Sequence, residues 1–356
     1  MLLLLPVKLI RWAFGKWWKL FCVLLLVFAF SAGILVPLSP GLISATSSSL
    51  STSSAPFTVK VLGYGTRFKD NQGTLSAWLK NDNQDNCATS IRVIDNTHIE
   101  LSFPPIAPLD NPVFGLSVYN DADGRLFMPD AIATNDTTHG GIVPTCHPVV
   151  KNEKQDYFAI PFRYILYESM RNLFFHVPMW FTMIALLSWA LFNNLKYLRG
   201  FDLKYDIVAN EAVNTGLVFG VLGLITGSLW ARVTWGAWWV DDVKLNGTAI
   251  TMLAYLAYVV LRNSIDDEQK RARVSAIYSI FAYVMMLVLI GLLPRLQGTD
   301  SLHPGNGGNP AFSKYDLDNS LRPIFYSAVL GWILLGFWIY SIRVRIHRLQ
   351  EQLHEA

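Results

Sequence analysis

Six windows of this chain contain no Lys, Arg, Asp or Glu and are long enough, or nearly so, to cross a bilayer. They are Leu20–Leu38, Asn172–Leu195, Ala212–Trp230, Leu245–Leu261, Val274–Pro294 and Pro323–Ile342. About 30 Å of hydrocarbon needs roughly 20 residues of helix at about 1.5 Å per residue. With no water to bond the backbone there, each window must be helical. The fourth is the shortest, and its helix is expected to run past Lys244 or Arg262, whose charged ends then snorkel outwards. Composition agrees: 52% of residues are hydrophobic and 15% charged, with a mean hydropathy of +0.32, too apolar for an ordinary soluble domain. Lipid is therefore an obligatory neighbour. A net charge of +3 gives no reason to expect nucleic acid.

The distribution of basic residues sets an orientation. Fourteen lie on one side of the windows: Lys8, Arg11, Lys16 and Lys19, then Lys196, Arg199 and Lys204, then Arg262, Lys270, Arg271 and Arg273, then Arg343, Arg345 and Arg348. The short loops on the other side carry five, Arg232, Lys244, Arg295, Lys314 and Arg322. The positive-inside rule then puts both termini in the cytoplasm, leaving out 39–171, since long segments translocate regardless of charge. The first window is longer than a signal-peptide core and Ser44-Ala45-Thr46 is a weak cleavage site, so it is expected to be retained.

Residues 1–38 thus form a cytoplasmic amino terminus and first span, and the Ser-rich stretch 39–55 reads as a linker. From 56 to 150 the chain is polar, with β-branched and aromatic runs at Thr58–Leu62, Thr74–Leu79, Ser90–Ile94, His98–Phe103, Val113–Tyr119 and Leu126–Met128. Turn signals such as Asp121-Ala122-Asp123-Gly124 separate them, so a small all-β, sandwich-like domain is expected on the outer side. A disulfide between Cys87 and Cys146 suits that compartment, with two free thiols as the alternative, and Cys146-His147 alone is weak evidence for a metal. His98, His139 and His147 read as solvated loop histidines. Residues 160–345 form a five-helix membrane domain and 346–356 a cytoplasmic tail.

Within the membrane domain, Trp235-Gly236-Ala237-Trp238-Trp239-Val240-Asp241-Asp242 concentrates three of the chain's twelve tryptophans between the third and fourth windows. Membrane-boundary anchoring needs one or two. Three around a glycine, closed by two acids, suit a flat apolar macrocycle, since indole faces stack broadly and their N–H groups stay free. His176 opens the second window, and an ionisable group in a span is a functional candidate by default. The alternative is an imidazole that only bonds a neighbouring helix. His303 lies in Ser301–Pro310, too rich in Gly, Asn and Pro for regular structure. Both histidines and the tryptophan stretch fall on the outer face. Two neutral imidazoles beside an aromatic platform are what axial ligation of haem iron requires, with Lys244 and Arg232 available to the propionates. Gly216, Gly220, Gly223 and Gly227 let a helix or a ligand come close.

At these residues the chain resembles the CcmC family of haem-handling proteins of cytochrome c maturation. The family signature Trp-Gly-x-Trp-Trp-x-Trp-Asp matches Trp235, Gly236, Trp238, Trp239 and Asp242, and Leu224–Trp230 and His176-Val177-Pro178 also fit. The resemblance implies that His176 and His303 are axial ligands of haem b and that the tryptophan stretch contacts the ring. It implies a bacterial inner-membrane location with a periplasmic haem site. Its implied partners are the haem chaperone CcmE and the transporter-like CcmA, CcmB and CcmD. Two departures stand out. Asp241 occupies the place of the motif's third aromatic, and a β domain interrupts the connection between the first span and His176.

The leading expectation is a membrane all-α protein with an inserted all-β domain that binds haem and hands it to a chaperone. It has no P-loop, no CxxC and no catalytic constellation of its own, which favours delivery over enzymatic turnover. A quinol-oxidising b-type cytochrome and a scaffold without haem are the alternatives. The β domain either docks a partner or acts as a spacer.

Overall fold

The computed structural model describes residues 5–47, 56–81, 84–105, 113–133, 158–296, 301–303 and 317–355. Among them six α-helices follow one another: α1 (Leu5–Leu35), α2 (Leu173–Gly200), α3 (Leu203–Trp235), α4 (Val243–Asn263), α5 (Glu268–Met286) and α6 (Leu321–Glu355). Each coincides or overlaps with a stretch long and apolar enough to cross a membrane, and the chain is a multi-pass membrane protein. It divides into two compact units, Met1–Leu35 with Ser169–Ala356, and Val36–Glu168.

The helical unit is organised by α2 and α3, which are joined through Phe201 and Asp202 alone. Phe201 takes a left-handed conformation (φ 52°), and the Asp202 side chain accepts from the Lys204 N–H to start α3. The glycines of α3 close the pair. A Cβ on Gly220 would stand 2.5 Å from Met252 Sδ and 2.8 Å from Met183 Sδ, and one on Gly223 would stand 2.7 Å from Trp180. Close approach of neighbouring helices is one expected use of this stripe, and these contacts realise it. Met179, Met183, Leu186, Ala212, Phe219, Met252 and Tyr255 fill the core beside it. Lipid supplies no hydrophobic drive between helices, so such packing and interhelical bonds must hold the bundle.

Two ion pairs with buried carboxylates supply part of that. Arg262, expected to snorkel, instead turns inwards: its Nη1 and Nη2 donate to Asp206 Oδ1 and Oδ2 at 2.7 and 2.6 Å, tying α4 to α3. The reason is geometric, since Asp206 lies in the first turns of α3 beside the last turn of α4, and a fork-shaped cation matches a carboxylate in both its oxygens. Glu211, further along α3, accepts from Arg343 Nε of α6 at 2.7 Å, with His347 Nδ1 at 3.3 Å. Past α5 the helix widens into a π segment, Leu287–Leu292, and then tightens into a 3₁₀ turn, Leu293–Arg295. The Leu289 carbonyl oxygen presses on α4 where a Cβ at Gly247 would stand 2.6 Å away.

The second unit is a sandwich of two four-stranded antiparallel sheets. The strands are β1 (Gly41–Ser47), β2 (Phe57–Tyr64), β3 (Ser76–Asn81), β4 (Gln84–Cys87), β5 (Ser90–Val93), β6 (His98–Phe103), β7 (Val113–Asn120) and β8 (Gly124–Ala133). The orders are β1-β2-β6-β5 and β4-β3-β7-β8. Alternating residues of both sheets, among them Val59, Val61, Leu101, Leu79, Leu116 and Val118, meet in one core. Where serine content predicts a linker across 39–55, β1 pairs with β2 from Gly41 to Ser47, because Leu42 and Ala45 turn into the core and outweigh the serines. β4 carries no apolar alternation and is absent from the expected strands; it pairs with β3 from Asn81 opposite Gln84 to Trp78 opposite Cys87. Cys87 is disulfide-bonded. Its expected partner Cys146, with His139 and His147, lies outside the described residues. His98 opens β6, opposite Leu62 of β2, and its Nδ1 lies 3.0 Å from Asp95 Oδ2 in the turn just before it. The Thr97 backbone N–H, then His98 and the Thr97 hydroxyl, hold the Asp95 carboxyl well below its usual range.

Removing one partner of a buried ion pair leaves a charge with no solvent, at a cost of about 3–5 kcal/mol. Arg262→Ala is therefore expected to lower the Tm of the detergent-solubilised protein sharply, and the Asp206→Asn/Arg262→Gln double variant to recover most of the loss. A double variant as unstable as the single one would contradict this.

Candidate functional site

α3 ends where Gly236 takes a left-handed conformation (φ 77°) that a side chain disfavours. The chain then runs through Trp238 and Trp239 to Asp242, the N-cap of α4. Trp238 and Trp239 leave 57% and 42% of their surface exposed, high values for the largest apolar side chain, so the loop presents two indoles outwards. The loop itself is pinned: Ser228 Oγ donates to the Trp238 carbonyl at 2.7 Å, and Arg232 donates to the Gly236 carbonyl. Arg232, expected as a propionate donor, thus spends one guanidinium N–H on the loop backbone.

Asp241, which departs from the family motif, has a local partner. It accepts from Asn246 Nδ2 at 2.7 Å, and Asn246 Oδ1 in turn accepts from Trp239 Nε1 at 3.2 Å. The carboxylate therefore orients an indole through one amide. Nothing in the sequence singles out Asn246, because the link depends on the first turn of α4 folding back over the loop.

Asp242 is the fastening point. Its Oδ1 accepts from the backbone N–H groups of Lys244 (2.9 Å) and Leu245 (3.1 Å), capping α4. Its Oδ2 accepts from the N–H of Leu302 at 2.8 Å and so holds the segment that carries His303. Burial alone would raise this carboxyl's pKa, but the N–H groups of Leu302 and Leu245, the Ser301 hydroxyl and His303 together bring it below its ordinary value. His303 Nδ1 lies 3.3 Å from Asp242 Oδ1, an ion-pair distance without the alignment of a hydrogen bond. Trp235 stands edge-on to the same imidazole, ring centroids 5.1 Å apart. Burial, opposed by Asp242 and aided by Lys244, lowers the His303 pKa, so the ring is neutral near pH 7. Lys244 also feels the charge of Arg295, at the end of the 3₁₀ turn after α5. Arg295 is a cation that sequence reasoning does not assign to the site, since only the widened π segment brings it to α4.

His176 is placed by α2 against α3. Its Nδ1 lies 3.1 Å from both the Gly223 carbonyl oxygen and Thr226 Oγ1. Its ring stands edge-on to Trp230 (5.9 Å) and Trp180 (6.2 Å). Trp230 Nε1 donates to Ser169 Oγ at 3.2 Å, which fixes that indole in turn. His176 and His303 lie close enough to interact electrostatically. The structure therefore joins Trp235, Asp242, Lys244 and His303 in one cluster, with His176 beside it on the α2–α3 seam.

Because one Asp242 oxygen caps α4 and the other holds Leu302, Asp242→Asn separates the two tasks. The amide oxygen can still cap, while the NH2 group faces the Leu302 N–H and leaves it unbonded, a loss of about 1–3 kcal/mol. Hydrogen exchange is expected to quicken at Leu302 and remain slow at Leu245. Equal loss of protection at both would contradict the fastening role.

Comparison with known proteins adds the family. The family model CcmC, "Heme exporter protein C", matches residues 150–356. "Heme exporter protein C" of Escherichia coli (strain K12) is 27% identical over 188 residues, covering 50% of this chain and 69% of that protein. The protein of the same name from Bradyrhizobium diazoefficiens is 30% identical over 124 residues, covering 34% and 46%. That from Rhodobacter capsulatus is 25% identical over 177 residues, covering 50% and 72%. The family match takes in the site and more than half of the chain, and the protein belongs to the haem exporter protein C (CcmC) family.

Proposed function

We propose that this protein binds haem b at the periplasmic face of a bacterial inner membrane, with His176 and His303 as axial ligands, and presents it to the haem chaperone CcmE. Family membership makes the chain a haem-handling membrane protein of cytochrome c maturation. The observation that carries the finer reading is the chemistry of the donor set. Among the described residues no group of three or more His, Cys, Asp or Glu could hold a bare metal ion. Two imidazoles are the number that an iron needs when its other four positions come from a porphyrin.

The residues fit that group. When bound, haem supplies the iron, its four ring nitrogens and two carboxylates. His176 has both of its Nδ1 acceptors on α3, and no bond to Nε2 is made among the described residues, so that nitrogen is left for a ligand. His303 is kept neutral by burial, which leaves a lone pair to give. Trp238 and Trp239 offer exposed apolar faces, and Trp235 fixes the imidazole edge. Gly236 makes the turn, and Asp242 holds it to the His303 segment. Lys244, Arg295 and Arg232 supply the cations that propionates need.

His303 comes from a loop, and a loop-borne ligand can be released more readily than one inside a helix bundle, which favours delivery over quinol oxidation. CcmA, CcmB and CcmD are the proposed partners in the membrane, with nucleotide chemistry supplied by them, since this chain has no phosphate loop. Both termini are placed in the cytoplasm on the charge count, and the sandwich domain in the periplasm.

Purified protein is expected to hold haem and pass it to added apo-CcmE without quinol-driven reduction. His176→Ala and His303→Ala should each lower haem occupancy, and the double variant should abolish it. Full haem content in the double variant would defeat the proposal.

A further inference from the structure

One turn of α3 lies against three sides of His176. The Gly223 carbonyl oxygen and Thr226 Oγ1 each lie 3.1 Å from Nδ1. A Cβ on Gly227 would stand 2.6 Å from Cε1 and 3.2 Å from Nδ1, so the ring fills the space that only glycine leaves. We infer that Thr226 is a positioning residue for His176: it fixes the tautomer and the ring plane, so that Nε2 rather than Nδ1 is the nitrogen offered to a ligand. The inference rests on the haem-binding reading above and concerns how that site is set.

The hydroxyl proton decides the direction. Thr226 Oγ1 donates to the Leu222 carbonyl at 2.8 Å, with the Gly223 carbonyl at 3.2 Å, so its proton is committed within its own helix. Only lone pairs then face the imidazole. The Gly223 carbonyl is likewise an acceptor. A nitrogen between two acceptors must carry the hydrogen, and in a neutral imidazole the other nitrogen then holds the lone pair. The opposite tautomer would set a lone pair against two oxygens in an apolar span, with no water to separate them.

Thr226 is itself held. Asn172 Nδ2 donates to the Thr226 carbonyl at 2.9 Å, so the residue just before α2 grips the turn that orients the histidine on α2. A threonine that back-bonds to its own helix is also a common way to hide a hydroxyl in a membrane. That alternative gives no reason for Oγ1 to lie within bonding distance of an imidazole, nor for glycine next to it. Partners that orient a metal-bound histidine typically change affinity by about 10–100-fold when removed.

The test uses the full chain purified in detergent and loaded with haemin. Thr226→Val keeps the shape and removes the acceptor, Thr226→Ala removes both, and Thr226→Ser keeps the hydroxyl. Loss of haem to excess apomyoglobin is expected to be about ten-fold faster for Thr226→Val and Thr226→Ala, with a partial shift from low-spin to high-spin absorption, and near wild type for Thr226→Ser. Wild-type loss rates and spectra in both the Val and Ala variants would overturn the inference. So would a Ser variant as impaired as Val, because the methyl group rather than the hydroxyl would then matter. If Val fails to fold, the Ala and Ser pair decides. His176→Ala in the same assay addresses the underlying reading separately: an unchanged low-spin spectrum there removes His176 as a ligand, whatever Thr226 does.

Discussion

The site depends on a single carboxylate with two occupied oxygens. Asp242 ends the tryptophan loop, starts α4 and holds the Leu302 N–H, so three segments meet at one buried side chain. A buried carboxylate tolerates this only because backbone N–H groups replace the water it has lost. The geometry also explains why an acid closes the motif. A neutral cap could start α4, but it could not accept from both the helix and the loop through two equivalent oxygens. On the proposed reading, whatever shifts Asp242 moves one iron ligand while the other, on the α2–α3 seam, stays in place. Such an asymmetry suits a protein that must let its cargo go.

The rest of the membrane unit gives that asymmetry a rigid base. Glycines at 220, 223 and 227 bring α2 onto α3 until the Met183 thioether, Trp180 and His176 each occupy the place of a missing Cβ. At the other end of α3, Asp206 and Glu211 receive Arg262 and Arg343 from α4 and α6. One helix is thus locked to its neighbours by packing near the histidine and by charge near its start. The two devices suit their surroundings, since apolar contact is available all along a membrane helix but an ion pair must be complete before it is buried.

Much of this is legible in the sequence, and what is not has physical causes. The six spans follow from charge-free length, and the sandwich follows from alternation and turn residues. β1 and β4 do not follow, since serines dominate the surroundings of Leu42, and Gln84-Asp85-Asn86 has no apolar periodicity at all. Trp235, His303 and Asp242 can be picked out because each is an unusual residue in its setting. Thr226, Asn246 and Arg295 cannot, because their importance lies in contacts between elements. Arg262 reads as a snorkelling charge, as it would be on an isolated helix; only the neighbouring Asp206 turns it inwards. Glycine spacing along α3 is visible, but whether it receives a helix or a ligand depends on where the partner lies.

The central claim is that His176 and His303 together ligate one iron. The most direct measurement is pulsed electron paramagnetic resonance on the ferric haem-loaded protein, with 15N incorporated in histidine alone. The account predicts a low-spin iron with hyperfine coupling to two histidine nitrogens, falling to one in either His176→Ala or His303→Ala. Coupling to no histidine nitrogen, or to two that both survive in each variant, would contradict it.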